Sequence, residues 1–138
     1  MKFAAENWMF ILLAVVAAWM LIAPAIKRRG ASIHDVGIAE AVSLINHHDA
    51  VVLDVREDRE VAGGVIHGAR HIPLGQLQTR LVELEKFRTR PVIVNCRSGH
   101  RSLNACVLLH KQGFEKVHNL SGGITAWQQA NMPLEKKR

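Results

Sequence analysis

An α/β domain with a mainly parallel central sheet flanked by helices, preceded by one N-terminal transmembrane helix, is the fold class this sequence predicts. Three observations carry it. Short, almost wholly apolar runs alternate with stretches of helical periodicity, the pattern of strands buried on both faces and joined by helices. A length of 138 residues suits one domain and leaves little for a second. Trp8 to Ile26 is apolar and contains no charge.

That uncharged run, as a helix, spans ~28 Å, close to the hydrocarbon thickness of a bilayer. Trp8 suits an interfacial position, and Pro24 lies near the helix end, where losing one hydrogen bond disturbs least. Ala23-Pro24-Ala25 resembles a signal-peptidase site, but the apolar run is longer than a signal core and Glu6 offsets Lys2 ahead of it. Lys27-Arg28-Arg29 follows at once and favours retention on the cytoplasmic side. The expected layout is therefore an anchor over residues 1–29 (span about 8–26, with its basic flank) and a domain over 30–138. It is single-pass, with the domain facing the cytoplasm. The Gly30-Ala31-Ser32 spacer reaches only ~10 Å, which would keep the domain at the membrane face.

Asp35 to His47 reads as a helix, with Val36, Ala39, Val42 and Ile45 on one face and Ser32 or Asp35 as N-cap. Ala50 to Val55 is a buried strand. Gly63-Gly64 and Gly68 interrupt the chain before a brief extended stretch, Arg70 to Pro73. Leu74, Leu77, Leu81 and Leu84 recur at helical spacing. Pro91 to Asn95 is a second buried strand that runs into Cys96-Arg97-Ser98-Gly99-His100-Arg101. A helix from about Arg101 to Gln112 stops at Gly113, a short strand covers Glu115 to Asn119, and a last helix carries Trp127.

The net charge of +6 does not indicate nucleic acid. Its excess lies in residues 1–29 and in the closing Glu135-Lys136-Lys137-Arg138, not on a face of the folded part. A hydrophobic share of 49% excludes a disordered polar chain, and two cysteines exclude a disulfide-stapled one. The eight histidines show no zinc-finger spacing: His47 and His48 diverge at a helix end, and His67 and His71 straddle Gly68. No metal and no other cofactor is expected.

Cys96 stands where open α/β sheets bind ligands, at the carboxyl end of a strand and ahead of a helix. A turn with Gly99 inside it can aim several backbone N–H groups inward, an anion nest that stabilises thiolate over thiol. Arg97 and Arg101 add positive charge, and His100 adds a hydrogen-bonding group. Cys106 lies mid-helix between apolar neighbours and reads as core packing.

Four pieces of the chain, in order, resemble the rhodanese homology domain over nearly all of residues 32–135. They are Leu53-Asp54-Val55-Arg56-Glu57 with Glu60; Gly68 to Leu74; Cys96 to Ser102; and Gly113-Phe114 with Val117, Leu120, Gly122-Gly123, Trp127 and Pro133. Gly64-Val65-Ile66 departs from the usual Gly-His-Ile, and Ala130-Asn131 stands where a glycine is common. The N-terminal run resembles that of membrane-tethered bacterial members, which implies the inner membrane.

The resemblance implies a rhodanese-like fold and sulfur transfer. Cys96 would take sulfur from a small anionic donor such as thiosulfate and pass it, as a persulfide, to a thiol or protein-cysteine acceptor. Arg97, Ser98, Gly99, His100 and Arg101 would bind the donor, while Asp54 and Arg56 brace the loop. A tethered domain also implies a partner in the membrane. Two alternatives stand beside this reading: a docking module without activity, and a cysteine-dependent phosphatase. Phosphatases of that kind have one more residue between cysteine and arginine than the four found here.

Overall fold

A computed structural model describes residues 1–30 and 33–137, without the side chains of 24–30. The chain divides into two compact units, residues 1–32 and 33–138. The first holds α1 (Lys2–Glu6) and α2 (Trp8–Gly30). From Trp8 to Ile22 every side chain of α2 is exposed. Among the described residues, however, no helix is long and apolar enough to cross a membrane. The expected span of 8–26 is thus not carried by what is described. The side chains of residues 24–29, Lys27-Arg28-Arg29 among them, and the end of the 30–32 spacer lie outside the described residues.

The second unit is a five-stranded sheet in which every pairing between strands is parallel. The strands are β1 (Ile33–Val36), β2 (Val51–Asp54), β3 (Arg70–His71), β4 (Val92–Asn95) and β5 (Val117–Leu120), in spatial order β1-β5-β4-β2-β3. Every residue of β2 and β4 is buried, as a strand covered on both faces requires. Alternation sends Val51, Leu53, Val92 and Val94 to one face, where they meet Leu77, Leu84, Ala105, Cys106, Leu109 and Phe114. Val52 and Ile93 point the other way, onto Ala41, Ile124 and Trp127. Helix α5 (His100–Lys111) therefore covers the first face. Helices α3 (Ile38–His47) and α6 (Gly123–Gln129) cover the second.

Two elements differ from expectation. Ile33–Val36 is a strand paired with β5, so α3 starts at Ile38, with Gly37 before it and no side-chain cap. Asp35 thus lies inside a strand and cannot cap α3; Ser32, the other expected cap, is outside the described residues. The repeat of Leu74, Leu77, Leu81 and Leu84 becomes two stretches of 3₁₀ helix, Leu74–Gln76 and Gln78–Phe87, broken by a non-helical Arg80. The apolar side chains still reach the core.

The strand order positions the site. After β2 the chain moves outward to β3; after β4 it moves the opposite way to β5. The loops leaving β2 and β4 therefore part from one another, which opens a crevice at the carboxyl ends of these two strands. One lip carries Cys96. The other carries Asp54, Arg56 and the short helix α4 (Asp58–Val61).

Candidate active site

Cys96 follows the last residue of β4 and is 1% exposed. Its Sγ accepts the Gly99 N–H at 3.1 Å and lies 3.3 Å from the Ser102 hydroxyl oxygen. The turn is possible because Gly99 takes a φ of 102°, a left-handed conformation that side chains resist. α5 starts directly after it, so the sulfur sits at a helix N-terminus. Burial pushes the Cys96 thiol up. Hydrogen bonds from the Ser102 side chain and from the backbone of Ser102, Gly99 and Ser98 outweigh that and hold it below its ordinary value.

The loop is stitched to α6. Ile124 N–H donates to the Cys96 carbonyl at 2.9 Å, and Thr125 N–H donates to the Arg97 carbonyl at 3.1 Å. This approach needs Gly123, because a Cβ there would lie 2.3 Å from the Cys96 carbonyl oxygen. Gly123 of the closing signature therefore serves the cysteine loop directly, whereas its neighbour Gly122 is packed against Ala126.

On the facing lip, Arg56 forms a buried pair with Asp54. Its Nε donates to both carboxylate oxygens at 3.0 Å, and one terminal nitrogen to Asp54 at 2.8 Å. Arg56 also donates to the Gly64 carbonyl at 2.8 Å and the Glu60 carbonyl at 3.4 Å. The Glu60 carboxylate in turn binds Arg101 through two parallel hydrogen bonds of 2.7 Å each. Asp54 and Arg56 thus reach the cysteine loop through Glu60, not by touching it. Arg101, expected to face the donor, has its guanidinium fork engaged by a carboxylate. Arg97, Ser98 and His100 are more open: Arg97, Ser98 and the helix-starting His100 are all exposed.

Arg101 beside Glu60 holds that carboxyl down at about 2, with the Glu57 backbone N–H contributing. A depressed carboxylate adds stability that is present above its unfolded value of 4.5 and lost as pH falls through about 2. We expect acid titration of stability between these limits to be shallower in Glu60→Gln than in the wild-type protein. Equal slopes in urea denaturation across that window would refute the pairing.

Cys106 is the contrasting thiol. It is fully buried on α5, and burial pushes it up to about 12, so it stays protonated and inert at neutral pH. Both cysteines are free. Glu60, Ser102 and Asn119 have no role assignable from sequence alone, and Asp35, expected only as a helix cap, instead belongs to this neighbourhood. Glu60 and Ser102 lie within quoted motifs, so their positions were visible there. Asn119 and Asp35 gave no local signal, because their significance comes from the pairing of β1 with β5.

The rhodanese-like domain family matches residues 38–130. A sulfurtransferase of Allochromatium vinosum is 38% identical over 91 residues, covering 66% of this chain and 83% of that one. A thiosulfate sulfurtransferase of Pseudoalteromonas translucida, GlpE, is 32% identical over 95 residues, covering 69% of this chain and 89% of that one. Among solved structures, a rhodanese-related protein from Thermoplasma volcanium superposes with a TM-score of 0.67 at 30% identity. That match covers 75% of this chain and 99% of the other.

Proposed function

The chain belongs to the rhodanese-like domain family, whose relatives here include sulfurtransferases, and from that premise we propose that it moves sulfane sulfur from thiosulfate or a similar anionic donor to a thiol acceptor through Cys96. The observation that carries this is the Cys96 sulfur itself: it ends a central strand, accepts a backbone N–H at 3.1 Å and is held below the ordinary thiol value.

The Cys96 thiolate attacks the outer sulfur of thiosulfate. The donor's S–S bond breaks, its electron pair leaves with sulfite, and a Cys96 persulfide forms. An acceptor thiolate then takes the outer sulfur, and its attack returns the Cys96 thiolate. No external oxidant or reductant is needed. Backbone N–H groups at Ser98, Gly99 and Ser102 stabilise the anionic sulfur, and the exposed Arg97 supplies positive charge for donor approach. Two-step transfer predicts ping-pong kinetics. Incubation with thiosulfate followed by intact-protein mass measurement should show one added sulfur. No added sulfur with any anionic donor would favour a docking module, and turnover of aryl phosphates a phosphatase.

The same proposal places the domain at the cytoplasmic face of a bacterial inner membrane, next to a membrane-protein partner. The uncharged run Trp8 to Ile26, the exposed apolar side chains of α2 and the following basic cluster support it. Protease added to spheroplasts should spare residues 30–138. Digestion there would reverse the orientation, and recovery of the full chain in the soluble fraction would remove the anchor.

A further inference from the structure

A chain of side-chain hydrogen bonds runs from the surface of β1 to the Cys96 sulfur. The Asn119 amide nitrogen has two protons, and both are used: one goes to Asp35 Oδ1 at 3.0 Å, the other to the Gly99 carbonyl at 3.2 Å. Turning the amide over would set its oxygen against a carboxylate and a carbonyl, so the orientation is locked. The Asn119 oxygen therefore faces Ser102, whose hydroxyl oxygen lies 2.5 Å away. An amide oxygen only accepts, so the single Ser102 proton is drawn toward Asn119. Ser102 then presents a lone pair to the Cys96 sulfur, 3.3 Å on its other side.

This arrangement suits a neutral thiol, which can donate S–H to Ser102. For the anion, the backbone N–H groups of Ser98, Gly99 and Ser102 are already in place, but the Ser102 hydroxyl adds its hydrogen bond only by turning away from Asn119. The Asn119 oxygen, on a residue only 5% exposed, then loses its partner. Ser102 and Asn119 therefore pull in opposite directions although they touch.

We propose that Asn119, oriented by Asp35, is a positioning residue that restrains the Ser102 hydroxyl and so tunes the reactivity of the Cys96 sulfur. The inference rests on Cys96 being the nucleophile of the proposed sulfur transfer. Other ionisable groups electrostatically coupled to this centre are Arg101, held by Glu60, and Cys106 on α5, which also feels Asp35. Arg97 and His100 belong to the loop itself, and the Asp54–Arg56 pair stands on the facing lip.

The test is the rate of Cys96 alkylation by iodoacetamide against pH in the full chain, read at that residue by peptide mass spectrometry. This reports on the sulfur anion whether or not sulfur transfer occurs. If the profiles behave as stated while thiosulfate leaves no persulfide, only the functional reading falls. Asn119→Leu frees the hydroxyl for the sulfur, and the profile midpoint should move down by about one pH unit. Ser102→Ala should move it up. The double variant should match Ser102→Ala, because Asn119 acts only through Ser102.

Loss of the Asn119 bond to Gly99 could also loosen the loop. That would move the midpoint up, and by the same amount with or without Ser102. An upward or unchanged midpoint in Asn119→Leu, or equal shifts in both backgrounds, overturns the proposal. Should Asn119→Leu fail to fold, Asp35→Ala at the exposed end of the chain decides. It releases the amide and should move the midpoint down by a smaller step that disappears in the Ser102→Ala background; no movement, or the same movement without Ser102 as loss of the carboxylate charge alone would give, overturns the proposal.

Discussion

Replacing Cys96 by serine is expected to abolish sulfur loading from thiosulfate, whereas Cys106→Ser should load as the wild-type protein does. The two thiols differ in environment, not chemistry. Cys96 receives hydrogen bonds at a helix N-terminus and lies below the ordinary thiol value of 9.0. Cys106 is sealed in the core with its thiol raised to about 12. A serine hydroxyl at position 96 could occupy the same nest, but it is neither ionised at neutral pH nor able to form a persulfide. The loss should be complete, not partial. Because the attacking species is thiolate, loading by wild-type protein should also persist as pH falls below the usual thiol range and decline only as Cys96 protonates. Sulfur on Cys96→Ser, or loss of loading in a folded Cys106→Ser, would move the chemistry to the other cysteine.

The second large effect is expected at Asp54. Asp54→Ala strips the carboxylate from a guanidinium whose side chain is only 7% exposed, leaving it with two carbonyls. Removing one partner of a buried ion pair costs about 3–5 kcal/mol, because the remaining charge stays desolvated. Against the 5–15 kcal/mol typical of a domain, that is a large share, to be read as a fall in the urea midpoint. Removing both charges in Asp54→Ala/Arg56→Met should recover much of the loss, since no orphaned cation remains. A loss under ~1 kcal/mol for Asp54→Ala would show that water already shields Arg56. The same substitution should also loosen the loop indirectly, because Arg56 holds the Glu60 backbone and Glu60 holds Arg101.

Both predictions draw on residues already visible in the linear sequence, and the reason is their locality. Val51 to Asp54 and Val92 to Asn95 are unbroken short runs with almost no polar residue, which only a strand buried on both faces accommodates. Cys96 follows one such run and precedes a periodic helix, so its place at a strand end could be read without knowing its neighbours. Cys106, set among apolar helix positions, was equally plain. Even the coarse chain order of strands and helices, and with it the α/β class, follows from patterns only a few residues long.

What tertiary structure alone decided involves residues far apart in the chain. Ile33–Val36 has two exposed polar residues at its centre and becomes a strand only because β5 lies beside it. The leucine repeat after Pro73 satisfies either helix type, and the folded chain takes 3₁₀ there with its leucines packed on the core. Arg101 looked like a free cation until α4 brought Glu60 to it from 41 positions away. Asp35, Asn119 and Ser102 form one hydrogen-bonded line to the Cys96 sulfur from a β1 strand, a β5 strand and a helix. Apolar periodicity is a local property and survives in one dimension. A hydrogen bond between polar side chains depends on which strands become neighbours, and that is settled only when the whole core packs.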